Sequence, residues 1–474
     1  MPHVRIRRHY IHTPFLIMAA LEAVIAGFGA YLGHYTQFQE FPDFVTYAPP
    51  AGVFAVIVVV SMLAMGVYES HLREGYSGMM LRTAVSVFLL TTLGVGVVAY
   101  LLPGLEMDRG ILLFATIETF ILIAVWRWIV QMTIDQEKLK KRVLVLGTGQ
   151  RALKIAMRMR RRLDQRSFHL AGFIDLDNGA SSDLVSEHGA NVITTDLPLV
   201  ELCREYNARE IVVAVDERRR NQAVAGGLPL EDLMECRLSG INVCDVQQFI
   251  ERESAKIDVD LLRPSWVVFS DGFITNVLRA ATKRSFDVLT SFAILLFAWP
   301  VMLLTAICIC LESGGRGPIL YYQARVGLNG RPFNVMKFRS MATDAEAAGE
   351  ARWAEPDDPR TTKVGAFLRK SRIDELPQLL NVLKGDMSFV GPRPERPVFV
   401  EELKDKIPFY EQRHRVKPGI TGWAQLCYPY GASVADAKEK LQYDLYYLKN
   451  HSLLLDLVIL IQTVEVVLVG GGAR

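Results

Sequence analysis

The sequence is short of cysteine and has almost no excess of charge of either sign. Its six cysteines are scattered over 474 residues, with no C-x-x-C pair and no zinc-ligand spacing, so a structural zinc site is not expected. Lys and Arg number 53 against 51 Asp and Glu, and a formal net charge of +2 argues against a nucleic-acid-binding protein. The cysteines are therefore expected to be reduced and mostly buried thiols in a protein that faces the cytosol.

Apolar residues are abundant, at 50% of the chain, and they open it with four long segments. Each segment is close to the ~20 residues that a membrane-spanning helix needs. The four cover approximately Thr13–Gly33, Pro50–Tyr68, Met79–Leu102 and Gly110–Met132. Basic residues precede the first segment and follow the fourth, while the loop Gln37–Tyr47 has none. By the positive-inside rule, this pattern predicts a four-span helical bundle, 1–137, with both ends in the cytoplasm.

A second region, 138–265, alternates strand-like runs with helical patterns and is predicted to be a Rossmann-like α/β domain. One such run leads directly into Gly147–Ala152, which matches a G-x-G-x-x-A nucleotide-binding turn, and Asp175 ends the next strand, where a ribose-binding acid can lie. The Tyr-x-x-x-Lys pair of sugar-nucleotide epimerases is absent, because Tyr206 is followed four residues later by Glu210. Two interpretations stay open, a nucleotide-binding domain and a structural or dimerising one.

A fifth apolar segment, Phe286–Leu311, differs from the other four because Trp299–Pro300 lies at its middle. Basic clusters flank it at Arg279–Arg284 and at Arg316–Arg339, and both favour the cytoplasmic face. Proline removes a helical hydrogen bond and its ring clashes with the preceding turn, so a helix can bend there and leave by the face it entered. The residues alone leave two alternatives, a re-entrant helix and a proline-kinked full span.

The stretch Arg369–Glu395 places two carboxylates among several cations. Asp374 and Glu375 come just before an apolar helical pattern, in which Pro377 fits only the first turn and Gly385 is suited to end the helix. The carboxylates are therefore expected at a helix N-terminus, where an aspartate stays ionised and a phosphate can bind. An ionised carboxylate among arginines suits attack on phosphorus, and an ordinary capping carboxylate is the alternative. The cations of this stretch include Arg369, Lys370, Arg372 and Arg393.

Three motifs within 279–474 carry a family resemblance. They are K-F-R-S-M at Lys337–Met341, D-E-L-P-Q-L-L-N-V-L-K-G-D-M-S-F-V-G-P-R-P from Asp374, and V-K-P-G-I-T-G-W-A-Q at Val416–Gln425. Together and in this order they resemble the core of the bacterial sugar transferases, the monotopic phosphoglycosyltransferases that make polyprenyl-diphosphate-linked sugars. The resemblance implies a membrane-associated multidomain protein whose α+β catalytic domain, 279–474, has a re-entrant membrane helix at 286–311.

The same resemblance implies a reaction. Asp374 attacks the sugar-side phosphorus of a UDP-sugar, expels UMP and forms an aspartyl-phosphosugar intermediate. Polyprenyl (undecaprenyl) phosphate then takes the hexose-1-phosphate, as the first membrane step of exopolysaccharide or other surface glycan synthesis. Mg²⁺, held by Glu375 and Asp374, neutralises the diphosphate.

Cationic side chains are expected to bind phosphate oxygens and to stabilise charge in the transition state. Besides the two carboxylates, the resemblance assigns catalytic roles to Arg369, Lys337 and Arg339. It assigns substrate binding to Arg393, Pro392, Pro394 and Arg372, the two prolines holding Arg393 rigid.

The expected location is the bacterial inner membrane, with a multi-pass anchor and an active site that faces the cytoplasm. The expected partners are UDP-sugar and polyprenyl phosphate, without nucleic acid, and a homodimer through the Rossmann-like or the transmembrane domain is a further expectation. Two other functions stay open. An NAD-dependent sugar-nucleotide oxidoreductase is motivated by Gly147–Ala152, and a non-catalytic membrane scaffold by the four-span bundle. No motif identifies the sugar.

Overall fold

The protein forms two compact units in the computed structural model. The structure describes residues 3–6, 9–68, 76–133, 140–159, 168–175, 185–195, 197–216, 228–262, 277–342, 360–428, 431 and 433–469. The first unit comprises Met1–Val4, Tyr10–Met62 and Val67–Leu262. The second comprises Arg5–His9, Leu63–Gly66 and Arg263–Arg474. All six cysteines are free thiols, and three of them are buried in the first unit.

Long apolar helices make up the N-terminal part of the chain. Two short strands precede them, β1 (His3–Ile6) and β2 (His9–His12). The helices are α1 (Thr13–Phe38), α2 (Phe44–Ala64), α3 (Tyr76–Ala84), α4 (Thr91–Leu101) and α5 (Arg109–Thr133), with a π-helical segment, Val85–Leu90, joining α3 to α4. Counting Ser77–Leu101 as one helix, four helices here are long and apolar enough to cross a membrane. The apolar helices of the predicted four-span bundle are confirmed, and the four membrane crossings stay a prediction.

Helices α1 and α5 pack closely because glycine lines their contact. A Cβ atom added to Gly33 would lie 2.5 Å from the backbone nitrogen of Ala115. Added to Gly29, it would meet the backbone of Thr119 at 3.2 Å. Small residues at such contacts let two helix backbones approach, which is the main way that helices associate in lipid.

A buried ion pair also joins these two helices. Arg127 of α5 donates through Nε to Glu22 Oε1 at 2.5 Å and through Nη2 to Glu22 Oε2 at 2.8 Å. Its Nη1 donates to Thr83 Oγ1 at 2.7 Å, and the Tyr68 hydroxyl donates to Glu22 Oε2 at 2.5 Å. The carboxylate of Glu22 is thus fully buried but bonded to two partners, which is how charged groups are accommodated away from water.

The rest of the first unit is built around a parallel five-stranded sheet. Its strands follow the order β5–β4–β3–β6–β7, so that β3, the first of these five along the chain, lies at the centre, as in the first five strands of a Rossmann fold. The strands are β3 (Lys141–Leu146), β4 (Phe168–Ile174), β5 (Val192–Ile193), β6 (Glu210–Val213) and β7 (Asn242–Asp245). The helices are α6 (Gln150–Arg158), α7 (Leu199–Glu205), α8 (Leu230–Leu238) and α9 (Val246–Ser254), followed by a 3₁₀ turn, Val259–Leu261. The predicted Rossmann-like α/β domain is confirmed.

Hydrophobic cores lie on both faces of this sheet. Val143 and Val145 of β3 belong to one core, and Leu144 and Leu146 belong to the other. A central parallel strand is buried on both faces, which explains why the sequence of β3 is a continuous apolar run rather than an alternating one.

The second unit combines a long helix with short strands and helices. Its elements are α10 (Val277–Glu312), β8 (Leu320–Val326), β9 (Pro332–Phe338), α11 (Lys363–Lys370), α12 (Gln378–Lys384), β10 (Ser388–Val390), α13 (Pro397–Lys406), β11 (Gly419–Thr421), α14 (Trp423–Cys427), α15 (Val434–Asn450) and α16 (Leu453–Val469). Strands β8 and β9 form an antiparallel hairpin. The turn predicted at Asn329–Gly330 is confirmed, since both residues have positive φ angles of 54° and 76°. Strands β10 and β11 pair in parallel.

Helix α10 is longer than the apolar segment predicted from the sequence. It starts at Val277 rather than near Phe286, because the basic residues 279–284 continue the helix, and it runs through Pro300 to Glu312. It is the fifth helix in the described residues that is long and apolar enough to cross a membrane. The middle of α10 exposes large apolar side chains, among them Phe292, Phe297, Trp299 and Leu304.

Candidate active site

The two carboxylates of the central motif lie in a 3₁₀ turn, Ile373–Glu375, between α11 and α12. Arg372 precedes the turn with a φ of +59°. Pro377 is the N-terminal capping residue of α12, and Gly385, with a φ of +100°, ends that helix. The predicted start and stop signals of the helix are therefore both confirmed. The carboxylates lie in this separate 3₁₀ turn directly ahead of α12, which agrees with the predicted place at the N-terminal end of the helix.

Glu375 is held by two cations that come from distant parts of the sequence. Lys337 Nζ of β9 lies 2.9 Å from Glu375 Oε1, and Arg393 Nη2 lies 3.0 Å from the same oxygen. Arg372 Nη1 is 3.9 Å away. Burial by itself raises the pKa of Glu375, but Lys337, Arg393 and Arg372 outweigh it and hold that pKa well below its usual range. Glu375 is therefore a permanently ionised group at neutral pH.

Asp374 has a different environment, although it is the next residue. It is buried, and within the described residues its Oδ1 has no hydrogen-bond partner. Burial and the neighbouring charge of Glu375 raise the pKa of Asp374 to about 6, against the opposing effect of Lys337, Arg372 and Arg393. Desolvation, which favours the neutral carboxyl group, is therefore the largest influence on the pKa of Asp374. At neutral pH Asp374 is still mainly a carboxylate, and its buried Oδ1 has no hydrogen bond among the described residues that an incoming group would have to replace.

The other cations predicted for the site divide into two sets. Lys337, Arg372 and Arg393 converge on Glu375, as described above. Arg369 instead donates through Nη1 to Thr361 Oγ1 at 3.1 Å, and Arg339 donates through Nη1 to the carbonyl of Arg316 at 3.1 Å. The structure thus brings three of the five cations together, and phosphate binding by Arg369 and Arg339 stays a prediction.

The sequence motif also contains a residue whose role was not predicted, Asn381. Its Oδ1 accepts from the backbone nitrogen of Met336 at 2.9 Å, and its Nδ2 donates to the carbonyl of Asn334 at 2.8 Å. These bonds fix α12 to β9, the strand that carries Lys337. The signal available in the sequence was a polar residue on the buried face of a short apolar helix.

Helix α10 supplies a second connection to α12 that sequence reasoning did not find. Arg284 donates through Nη1 to the carbonyl of Val382 and through Nη2 to that of Leu383, both at 2.6 Å. These carbonyls belong to the last turn of α12, where backbone acceptors lack helical partners and cations are favoured. Arg284 was predicted only as part of a basic membrane flank, and it also positions the helix that follows the carboxylates.

The two carboxylates are compatible with a Mg²⁺ ion that is also bound by substrate phosphates. Within the described residues, no group of three or more His, Cys, Asp or Glu side chains is placed to hold a metal. Mg²⁺ is commonly bound by one or two carboxylates together with substrate phosphates. The unpartnered Oδ1 of Asp374 fits such an arrangement. Glu375 Oε1 fits it less well, because Lys337 and Arg393 already occupy that oxygen.

In the second predicted binding feature, the Gly147–Ala152 turn, a carboxylate of the protein occupies the backbone donors that would bind a phosphate. It joins β3 to α6, as a Rossmann turn does, but the Asp216 carboxylate accepts from the backbone nitrogens of Gln150 at 2.7 Å and Arg151 at 3.1 Å. In a Rossmann domain these donors bind the pyrophosphate of the nucleotide. Asp175, predicted as a ribose ligand, is buried and accepts from Thr148 Oγ1 at 3.3 Å. The turn has the shape of a phosphate site with a carboxylate in the place of the phosphate.

Two family models match the chain, the bacterial sugar transferase model at residues 278–470 and a CoA-binding domain model at residues 63–222. A UDP-N-acetylgalactosamine-undecaprenyl-phosphate N-acetylgalactosaminephosphotransferase of Aeromonas hydrophila is 44% identical over 243 residues, which are 51% of this chain and 56% of that protein. An undecaprenyl-phosphate glucose phosphotransferase of Komagataeibacter xylinus is 34% identical over 367 residues, 76% of this chain and 65% of that protein. The chain thus spans between half and two thirds of these two relatives.

A third relative is short enough to be covered almost completely. The exopolysaccharide production protein PSS of Rhizobium leguminosarum bv. phaseoli is 43% identical over 191 residues, which are 38% of this chain and 92% of that protein. The bacterial sugar transferase model, at residues 278–470, covers the part of the chain that contains the two carboxylates and the cations around Glu375.

Proposed function

Because the chain belongs to the bacterial sugar transferase family, we propose that it transfers a hexose-1-phosphate from a UDP-sugar to polyprenyl phosphate and releases UMP. The observation that carries the proposal is the contrast between the two adjacent carboxylates. Asp374 has a buried oxygen without a partner, whereas Glu375 is neutralised by Lys337 and Arg393. One carboxylate is thereby suited to attack phosphorus and the other to orient the cations that bind phosphate.

The reaction proceeds in two displacements at phosphorus. In the first, Asp374 forms a bond to the sugar-side phosphorus, the phosphoanhydride bond to the inner phosphate breaks, and UMP leaves with the electron pair. In the second, an oxygen of polyprenyl phosphate attacks the same phosphorus and the bond to Asp374 breaks, which regenerates the carboxylate. No glycosidic bond is broken, so the site needs phosphate-binding cations rather than a pair of carboxylates flanking a sugar ring.

The cations around Glu375 reduce the repulsion between an anionic nucleophile and two anionic substrates. Lys337 and Arg393 are already oriented by their contacts with Glu375, so they bind phosphate oxygens with little reorganisation. Mg²⁺ bound to the diphosphate supplies further charge neutralisation during the displacement. Asp374 and Glu375 are the carboxylates that would hold such a complex, and the unpartnered Asp374 Oδ1 fits that contact better than Glu375 Oε1, which Lys337 and Arg393 already contact.

We also propose that α10 is re-entrant, so that the second unit lies on one face of the membrane. Near its start, Arg284 bonds to α12, and near its end, Ile309 packs against Leu368 of α11. A straight helix would place these two residues about 37 Å apart, more than the ~30 Å hydrocarbon core of a bilayer. Both ends contact the same compact unit, and a bend at Pro300 reconciles those contacts with a single membrane face.

The proposed topology also gives the side of the membrane on which the active site lies. Four N-terminal spans with basic flanks place both ends of that bundle, and hence the active site, on the cytoplasmic side of the bacterial inner membrane. UDP-sugars are soluble cytosolic metabolites, while the lipid substrate resides in the bilayer, so a site at the cytoplasmic surface meets both. Homodimerisation, through the α/β part or the helical bundle, remains an expectation.

Phosphorus labelling tests the proposed reaction directly. The full-length protein in nanodiscs is given polyprenyl phosphate, Mg²⁺ and a panel of UDP-sugars labelled in the β-phosphate. We expect one or a few of them to transfer the label into an organic-extractable lipid with release of unlabelled UMP. Label that stays water-soluble with every UDP-sugar would favour the scaffold alternative, and a nicotinamide-dependent change in the sugar would favour the oxidoreductase.

A further inference from the structure

The loop that presents Arg393 is held through its backbone carbonyls. Four successive carbonyls, from Pro392 to Glu395, each accept a hydrogen bond from another part of the second unit. Two of these four residues are prolines, which have no backbone N–H to anchor. Gly419 N donates to the carbonyl of Pro392 at 2.9 Å, and Arg413 Nη2 donates to that of Arg393 at 3.0 Å. Arg325 Nη1 donates to the carbonyl of Pro394 at 3.1 Å, and Val326 N donates to that of Glu395 at 2.9 Å.

Arg413 is the donor that reaches the carbonyl of Arg393 itself. It lies in the 3₁₀ segment Tyr410–Arg415, and only 7% of its surface is exposed. Its Nη1 donates to the Tyr410 hydroxyl at 2.7 Å, and its Nη2 lies 2.8 Å from Asp444 Oδ2 of α15. Two contacts other than the one with the loop thus hold the guanidinium in place.

The contacts form a continuous path from α15 to the candidate active site. Asp444 pairs with Arg413, Arg413 donates to the backbone of Arg393, and the side chain of Arg393 lies 3.0 Å from Glu375 Oε1. We propose that Arg413 is a positioning residue, which sets the place of the Arg393 guanidinium at the site through the Arg393 carbonyl, with Asp444 fixing Arg413. The kinetic part of this proposal rests on the proposed function.

A buried arginine with three partners also contributes to folding, so the test needs a measurement that a purely structural role leaves unchanged. Arg413→Lys keeps the positive charge but cannot bond to Tyr410, Asp444 and the Arg393 carbonyl at once, because an ammonium lacks the planar fork. Arg415→Lys is the matched control, since Arg415 belongs to the same 3₁₀ segment and is exposed.

Steady-state kinetics of the full-length protein in nanodiscs give the first readout. We expect Arg413→Lys to lower kcat/KM for the UDP-sugar about tenfold or more, with a raised KM for that substrate and an unchanged KM for polyprenyl phosphate. Arg415→Lys is expected to stay within about twofold of the unsubstituted protein. If Arg413→Lys lowers kcat and thermal stability together while the KM for the UDP-sugar stays constant, the proposal is wrong.

Coupling to Arg393 gives the second readout. In an Arg393→Lys background, the further loss caused by Arg413→Lys should shrink to less than about threefold, since the side chain that Arg413 positions is already altered. An equal loss in both backgrounds would show that Arg413 acts independently of Arg393. Asp444→Asn, which removes the charge behind Arg413 and keeps the shape, should produce a smaller change in the same direction.

Amide hydrogen exchange separates this proposal from the proposed function, because it needs no substrate. The backbone amides of Gly419 and Val326 donate to the loop, and their exchange should accelerate in Arg413→Lys and stay unchanged in Arg415→Lys. If this is seen in a protein that transfers no sugar phosphate, the positioning role stands and the proposed function fails. If the protein transfers sugar phosphate, but neither hydrogen exchange nor the kinetic constants change in Arg413→Lys, the positioning role is wrong and the proposed function stands.

Discussion

Asp374 and Glu375 are adjacent in the chain, yet their surroundings move their pKa values in opposite directions. Both are buried, but the cations Lys337 and Arg393 lie within 3.0 Å of Glu375 Oε1, whereas Asp374 Oδ1 has no partner among the described residues. The pKa of Glu375 falls well below its usual range, and burial with the Glu375 charge raises the pKa of Asp374 to about 6. Two carboxylates with separated pKa values are suited to separate roles.

The first prediction concerns the nucleophile. Asp374→Asn removes the charge and keeps the size, so we expect UMP release to fall by at least about a thousandfold while the protein stays folded and membrane-bound. Asp386→Asn, just beyond the C-terminal end of α12, is the control and should retain activity. Unsubstituted protein incubated with UDP-sugar and no lipid should gain the mass of a sugar phosphate on the peptide that contains Asp374. Substantial UMP release by Asp374→Asn would contradict the assignment.

The second prediction concerns Lys337. Lys337→Met leaves Glu375 with one close cation and removes a phosphate-binding charge, so kcat/KM for the UDP-sugar should fall about a hundredfold. The matched control is Lys384→Met, whose side chain is 72% exposed, and it should behave like the unsubstituted protein. Equal activities of the two variants in the UMP-release assay would place Lys337 outside the reaction.

The third prediction concerns the pH dependence of stability in the α/β part. Burial raises the pKa of Glu210, but Arg252 and Lys141 outweigh it and lower this pKa to about 2. The folded-state pKa lies below the unfolded value, so the stabilisation of about 3 kcal/mol is complete above pH ~4.5 and is lost as pH falls towards 2. Glu210→Gln should therefore lower the thermal midpoint at pH 7, with a smaller effect at pH 3. The exposed Glu205→Gln is the control, and a pH-independent difference would refute the linkage.

The fourth prediction concerns nucleotides at the Gly147–Ala152 turn. Because the Asp216 carboxylate occupies the backbone donors of Gln150 and Arg151, millimolar NAD⁺ or CoA should not raise the thermal midpoint of the full-length protein. Asp216→Ala should destabilise the α/β part by about 1 kcal/mol, as expected for the loss of a helix-capping group. Saturable CoA or NAD⁺ binding by equilibrium dialysis, insensitive to Asp216→Ala, would locate a nucleotide site elsewhere.

The fifth prediction concerns the topology of α10. In a cysteine-free background, single cysteines at Ala281, in the basic first turns of α10, and at Gly315, just beyond its end, should both resist an impermeant thiol reagent in intact cells. Pro300→Leu removes the cause of the proposed bend, so part of the population should cross fully and label at position 315 with loss of transferase activity. Labelling of the position 315 cysteine from outside, with Pro300 present, would refute the re-entrant helix and the cytoplasmic active site.

Local signals in the sequence were sufficient to predict much of the fold. The turn at Asn329–Gly330, the helix stop at Gly385 and the glycine-rich turn after β3 depend on backbone preferences of a few neighbouring residues, and each lies where it was predicted. The start of α10 was misplaced, because hydropathy marks where a helix enters lipid and not where its hydrogen bonds begin.

The candidate site was only partly predictable, for a physical reason. Lys337, Glu375 and Arg393 were recognised from their motifs. A motif does not show which charged side chains contact each other in the folded protein. Arg284, Asn381 and Arg413 act through carbonyl groups of residues that are 20 or more positions away, and such tertiary contacts leave no periodic signal. The same holds for Asp216, which is 66 positions from Gln150 in the sequence. The sequence therefore did not show that the Asp216 carboxylate occupies the backbone donors of the glycine-rich turn.

The buried pair of Glu22 and Arg127 has a consequence for how the protein is made. The two residues are 105 positions apart, so Glu22 leaves the ribosome well before the arginine that neutralises it. At ~5 to 20 residues per second, the interval is about 5 to 20 seconds. A charged side chain is costly in lipid without its partner. In the proposed topology, the first apolar helix therefore reaches its stable place in the bilayer only after the last helix of the bundle has been synthesised.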